Sequence, residues 1–332
     1  DAVVARTVPP APEIRADAPP LPDIIYIVPD RYAAAAKLGA SFGADNRPFV
    51  DGLRARGFTV ADDARANYFK TFQSLASTLN MAPLDPVIAA LGPDQPSQRP
   101  IFEMLEDNAV QRTLRGYGYA YHHLGNWWQP VQTNVHADVN FYGAGWGGLI
   151  LNEFEQTLLR TTPLLPLVFD VAPGSTIECR RLQNQLDYLK RVRTDPDRTD
   201  RPLFVFAHLT MPHDPIVMTR DGACRKPLRY PAPGVTWEAF KAAYTDYLYF
   251  LNEQLLAIFD ANRASTRGLV FVIQSDEGPY PLRYREDQAM DLFALDADEL
   301  RLKYGILNAL YWDPGVYGPP TLTDTPVNNW RI

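Results

Sequence analysis

The sequence has no run of five or more lysines and arginines, and its net charge is −7, so a nucleic-acid partner is not expected. It also lacks any apolar stretch near the roughly 18–20 residues that span a bilayer. Its two cysteines, Cys179 and Cys224, show neither Cys-x-x-Cys nor Cys/His spacing, which excludes a structural zinc knuckle. Both lie in polar, turn-like contexts ("STIECRR", "DGACRKP"). That favours one disulfide in an oxidising compartment, with two buried thiols as the alternative. There is no internal repeat. No initiator Met or signal segment precedes Asp1, and the chain stops at Trp330-Arg331-Ile332 as if inside an element. The expectation is a soluble piece of a longer, membrane-anchored protein.

What is present is an ordinary globular composition, 46% hydrophobic and 21% charged over 332 residues, enough for one large α/β domain or two smaller ones. The 30 prolines lie between apolar strands, so they indicate ordered loops more than disorder. Residues 1–22 hold six of them and read as a semi-extended linker, with a single domain expected over 23–332.

Three continuous apolar runs read as strands buried on both faces: 23–30 ("DIIYIVPD"), 202–209 ("PLFVFAHL") and 268–276 ("GLVFVIQSD"). Helical patterns are expected over 46–57, 71–81, 98–116, 145–171, 178–194 and 237–262. A short strand is expected at 58–64 and another over 117–125. Strands alternating with helices predict a mostly parallel sheet covered on both sides, with ligands beyond the carboxyl ends of the strands.

That rule selects residues. The three strands end at Asp30, at His208 to His213, and at the adjacent acids Asp276 and Glu277. Between the first two lies "NYFKTFQSLASTLN", where Thr71 opens a helix. Its hydroxyl is either an N-cap or a nucleophile activated by a metal and by the helix terminus. His208 reads as a core or supporting residue and His136 as a loop residue. His122 and His123, being adjacent in a strand, cannot both face a pocket. Arg283 and Arg285 could grip an anion or simply be solvated.

In this order, "PDIIYIVPD", "NYFKTFQSLASTLNM", "FVFAHLTMPHDP", "VIQSDEGP" and "YGILNALYW…TPVNNWRI" resemble the sulfatase-like hydrolase/transferase family of the alkaline phosphatase superfamily. Its relatives include the lipoteichoic acid synthases and the lipid A phosphoethanolamine transferases. The resemblance runs over 22–332 and implies a three-layer α/β/α sandwich with a mostly parallel central sheet. It implies Asp30 and Asp276 as acidic metal ligands, Thr71 as ligand and nucleophile, and His213 as the histidine at the substrate phosphate or a second metal. "HHLGNWW" resembles the substrate-pocket loop, which makes His123, Asn126 and Trp128 candidates for substrate binding, with Arg283 beside them. Glu277 stands where the family places a histidine.

An all-oxygen set of Asp30, Thr71, Asp276 and Glu277 suits Mn²⁺, Mg²⁺ or Ca²⁺ better than Zn²⁺. The expectation is therefore a metal-dependent phosphotransferase or phosphodiesterase on a phospholipid or envelope glycan, at the periplasmic face of the inner membrane. Sulfatase activity is disfavoured because no Cys/Ser-x-Pro-x-Arg motif surrounds Thr71. The Glu277 substitution raises a second expectation, a catalytically silent envelope module that keeps the fold. A purely structural ion is a third.

Overall fold

The run Asp23–Pro29 forms β1 at the middle of a seven-stranded sheet, because a strand apolar at nearly every position can only be satisfied with cover on both faces. The computed structural model describes residues 20–92, 97–143, 158, 161–162, 174–196, 198–264 and 267–313. The other strands of this sheet are β2 (Thr59–Val60), β3 (Ala120–Leu124), β4 (Val139–Asn140), β5 (Leu203–Leu209), β8 (Leu269–Gln274) and β9 (Asn308–Trp312). Their order is β2-β9-β8-β1-β5-β3-β4. β8, β1, β5, β3 and β4 run parallel, and β9 and β2 join antiparallel at one edge. A separate hairpin pairs β6 (Ile216–Met218) with β7 (Cys224–Leu228).

The period of two along each strand divides the core between two layers. Ile25, Ile27, Val205, Ala207, Phe271 and Ile273 pack on one face with Leu248, Leu251 and Leu255 of the long helix Trp237–Asn262. Tyr26, Val28, Phe204, Phe206 and Val272 pack on the other with Leu75 and Leu79 of the helix Thr71–Asn80 and Leu105 of the helix Arg99–Glu106. This is the expected three-layer α/β arrangement with a mostly parallel sheet. Cys179 and Cys224 form a disulfide that ties the helix Gly174–Arg191 to β7.

The expected helix over 98–116 is two helices, Arg99–Glu106 and Ala109–Gly116. Asn108 breaks it by accepting the Gln111 N–H at 2.9 Å and so capping the second helix, a local competition that hydrophobic periodicity does not register. The strand expected over 58–64 shrinks to Thr59–Val60, since β9 offers it only two paired positions. Most of the expected helix over 145–171 and most of the linker lie outside the described residues. Among the described residues, no helix is long and apolar enough to cross a membrane.

Candidate active site

The parallel register brings the carboxyl ends of β1, β5 and β8 to one edge of the sheet. Asp30 follows β1, and its N–H donates to the Leu209 carbonyl at the end of β5 (2.9 Å). The chain then turns sharply: Arg31 adopts φ 60°, a left-handed conformation unusual for a side chain of its size. That turn aims the Arg31 N–H at Asp276 Oδ1 (3.2 Å) and the Tyr32 N–H at Ser275 Oγ (3.0 Å), so the first strand's exit clasps the exit of β8. Gly278 is required here by close approach, because a Cβ on it would meet the Leu302 carbonyl at 2.1 Å.

Asp30, His208 and Asp276 form a buried group whose ligand atoms all lie within 4.8 Å of one another, a spacing that could hold a metal ion. His208 Nε2 stands 3.7 Å from Asp30 Oδ2 and 3.8 Å from Asp276 Oδ2. Burial, then the charge of Asp276, holds the Asp30 carboxyl well above the ordinary carboxylate range. Burial also raises Asp276, opposed by the hydrogen bond from the Thr71 hydroxyl. The residues fit a divalent cation: two buried acids push each other toward protonation, and Asp30 Oδ1 is buried with no hydrogen-bond partner.

Thr71 is the first residue of its helix, not the cap. Lys70 occupies the cap position with extended backbone and no side-chain cap. The Thr71 hydroxyl goes to Asp276 instead, which brings a hydroxyl at a helix N-terminus into the acidic cluster. Lys70 Nζ beside it donates to Tyr280 Oη (3.0 Å) and Tyr284 Oη (3.2 Å), placing an ammonium held by two phenols at the rim.

Glu277 turns away from this group. Its Oε1 pairs with Arg31 Nε at 3.1 Å and with Lys303 Nζ at 2.9 Å. Lys303 is fully buried, also donates to the Gly278 carbonyl, and lies 3.9 Å from the centroid of the Tyr280 ring. Burial pushes its ammonium down to about 7, against the pull of Glu277. Oε1 of the carboxylate standing where a histidine was expected is thus committed to two cations of the protein itself, while Oε2 is buried with no hydrogen-bond partner. Arg31 also reaches Asp214 (3.5 Å), as does Arg285 (3.3 Å). Burial would raise Asp214, but the Arg285 charge, with that of Arg31, brings it down to about 2.

His213 lies in the loop after β5, with Nδ1 donating to the Asp214 carbonyl. Burial and the Arg31 charge hold its imidazole neutral, well below the usual histidine range. The loop 122–128 behaves differently from expectation. His123 has both ring nitrogens engaged, Nδ1 with Tyr121 Oη and Nε2 with the Val131 carbonyl, each at 2.9 Å. Burial brings it down to about 4. It fastens the loop and presents no free nitrogen to a ligand. Asn126 is fully buried against His208, and Trp128 packs edge-on against Phe102. Arg283 points out to the Ala294 carbonyl (2.7 Å) and Glu299 (3.2 Å). Arg285, about 200° further round the short helix Leu282–Glu286, is the arginine that faces inward. His208 was the residue underrated by sequence: a buried strand end hid an imidazole that faces the cluster. With that imidazole present, the premise that no nitrogen donor is at hand fails, and the donor set alone does not decide the metal.

No family model matches the sequence, and no curated protein matches it. Solved structures do match, over nearly the whole chain. The C-terminal periplasmic domain of EptC from Escherichia coli, in complex with Zn, aligns with a TM-score of 0.59 at 14% identity, covering 98% of this chain and 84% of that one. The soluble domain of lipooligosaccharide phosphoethanolamine transferase A from Neisseria meningitidis aligns at 0.53 and 12% identity, over 96% of this chain and 86% of that one. A sulfatase of Bacteroides thetaiotaomicron, from a glycosaminoglycan-metabolism locus, aligns at 0.52 and 14% identity, over 93% and 70%. The chain has the alkaline-phosphatase-like fold of these transferases and sulfatases. In open, mostly parallel α/β sheets, ligands bind beyond the carboxyl ends of the strands, the edge at which Asp30 and Asp276 stand.

Two outcomes follow from the charges. Because Asp30 and Asp276 hold protons more tightly folded than unfolded, this pair contributes most to the stability of the metal-free protein in acid. Its contribution is lost as pH rises from the ordinary carboxylate range through their raised values. The buried neutral histidines His123, His208 and His213 act in the opposite sense, so the comparison is with a variant. In chelator, Asp30→Asn should gain in thermal midpoint relative to wild type as pH rises through that window; a difference that does not change with pH contradicts the assignment. Separately, Glu277→Gln strands Lys303 and Arg31 and should cost about 3–5 kcal/mol in urea unfolding. Pairing it with Lys303→Met should recover much of that loss, and a single variant as stable as the parent would contradict the pairing.

Proposed function

We propose that this chain is a metal-dependent phosphoryl transferase or phosphodiesterase of the cell envelope, acting on lipid- or glycan-linked phosphate esters through Thr71. The observation that carries the reading is the convergence of the Thr71 hydroxyl with Asp276 and Asp30 at one sheet edge. A divalent cation held by Asp30, Asp276 and the Thr71 oxygen would supply a lower pKa for that hydroxyl and neutralise charge on the phosphoryl oxygens. Glu277, proposed from sequence as a further ligand, is better assigned to anchoring Arg31 and Lys303.

The chain's own groups divide the remaining work. Asp276 accepts the Thr71 hydrogen bond and so turns an oxygen lone pair outward for attack on phosphorus. The helix N-terminus at Thr71 favours the negative charge gathering there. His213, neutral and with Nδ1–H committed, offers Nε2 as an acceptor, suited to a hydroxyl proton of the substrate or of the attacking acceptor. As the Thr71 O–P bond forms, the hydroxyl proton passes to Asp276 and the bond to the leaving alcohol breaks, the alkoxide taking a proton from solvent. Water or an acceptor hydroxyl then attacks phosphorus, gives its proton to solvent, and releases Thr71, which recovers its proton from Asp276. Transfer to an envelope acceptor is favoured because neighbours of the same fold are phosphoethanolamine transferases of periplasmic, membrane-anchored type.

One observation favours a second reading, a fold-retaining module without turnover: the position expected to bring a histidine ligand carries Glu277, whose Oε1 is already paired with two cations. The test is metal-supplemented assay of p-nitrophenyl phosphate, p-nitrophenyl sulfate and phosphatidylethanolamine vesicles, with Thr71→Ala in parallel. Metal-dependent phosphate ester turnover should fall on the order of 10³-fold or more in Thr71→Ala. Full activity in that variant sinks the mechanism. Metal binding with no Thr71-dependent turnover on any of the three substrates supports the silent module. Sulfate preferred over phosphate moves the substrate class.

A further inference from the structure

His208 Nε2 sits at the distance from Asp30 and Asp276 that a third metal ligand would occupy, so spacing alone does not separate ligand from hydrogen-bond donor. The far side of the ring does. Asn126 Nδ2 lies 2.8 Å from His208 Nδ1 and 3.2 Å from the His208 carbonyl oxygen, while Asn126 Oδ1 accepts the Trp128 N–H at 2.9 Å. Turning the amide over would set Oδ1 against that carbonyl oxygen and the NH₂ against the Trp128 N–H. Two backbone groups therefore fix the amide with its NH₂ toward the ring. A donor at Nδ1 needs the lone pair there, which leaves the proton of the neutral imidazole on Nε2. Metal-bound histidines show the reverse arrangement, with the far nitrogen donating its N–H to a carbonyl, carboxylate or water. His208 Nε2 is buried and has no hydrogen-bond partner in the protein, so its N–H awaits an acceptor.

We propose that His208 is not a ligand of the cation but a fixed Nε2–H donor to a non-bridging oxygen of the bound phosphate or sulfate ester, with Asn126 as the positioning residue that holds this tautomer. The proposal rests on reading the site as a metal-assisted oxyanion-ester site. It returns the ligand set to the oxygens of Asp30, Asp276 and Thr71, and so to a preference for Mn²⁺ or Mg²⁺ over Zn²⁺.

The direct test is long-range ¹H–¹⁵N correlation on histidine-labelled wild-type protein, metal-free and with Mg²⁺ or Zn²⁺. The Nε2–H tautomer at His208 in every state is expected; Nδ1–H in the metal-free protein, or its appearance on loading, overturns the proposal. Calorimetric titration adds an independent reading. His208→Gln should keep Mn²⁺ affinity within about threefold while inorganic phosphate binds about tenfold more weakly, the worth of one good hydrogen bond. Asp276→Asn should lose Mn²⁺ by more than about 100-fold. Loss of Mn²⁺ in His208→Gln equal to that in Asp276→Asn overturns the proposal. Asn126→Asp, which puts an acceptor at Nδ1, should switch the tautomer and raise Zn²⁺ affinity relative to Mn²⁺; no switch means that Asn126 does not set it. Should wild type bind no divalent cation, the proposed function fails, while the tautomer spectrum still decides the role of His208.

Discussion

Everything at the active edge answers to one electrostatic problem, the burial of Asp30 and Asp276 side by side at the ends of two strands. Buried carboxylates that close raise each other's cost of ionising, and water is not there to offset it. The fold supplies partial answers: the Arg31 N–H and the Thr71 hydroxyl on Asp276, and no partner at all on Asp30 Oδ1. The remaining deficit is a cation-shaped one. A structure that wanted only stability would have filled these positions with apolar side chains.

Around that pair, the protein separates its charges into sets that do not compete. Glu277 is bound by Arg31 and Lys303, and Asp214 by Arg31 and Arg285, so these acids are neutralised internally. Arg31 belongs to both sets, and its left-handed backbone is the strain that lets one residue reach them while its N–H holds Asp276. The adjacent acids of "SDEG" therefore face different company: Asp276 turns to the open group with Asp30, and Glu277 turns back into the protein. Adjacent residues leaving a strand point opposite ways, which is the simplest reason that they can differ so completely.

Much of this was legible in the sequence because parallel strands advertise themselves. Continuous apolar runs ending in Asp30, the His208–His213 segment and Asp276 identified both the sheet and its working edge, and Thr71 at a helix start joined them. What escaped depended on contacts between distant segments. The cations around Glu277 come from residues 31 and 303, and nothing local predicts that either would be buried. His123 and Asn126 looked like pocket residues because "HHLGNWW" resembles a substrate-pocket loop; their partners, the Val131 carbonyl and His208, turn them inward. Arg283 and Arg285 could not be told apart until the helix phase between them was known. The split at Asn108 was likewise set by one cap, and the two-residue β2 by where its pairing with β9 stops.

The central claim is that Asp30 and Asp276 share a divalent cation with the Thr71 oxygen. Anomalous diffraction at the manganese edge, from crystals grown with Mn²⁺, addresses it most directly. The account predicts one anomalous peak bounded by Asp30, Asp276 and Thr71, with Glu277 still paired to Arg31 and Lys303. A peak coordinated by Glu277, or no peak among these residues at saturating Mn²⁺, would contradict it.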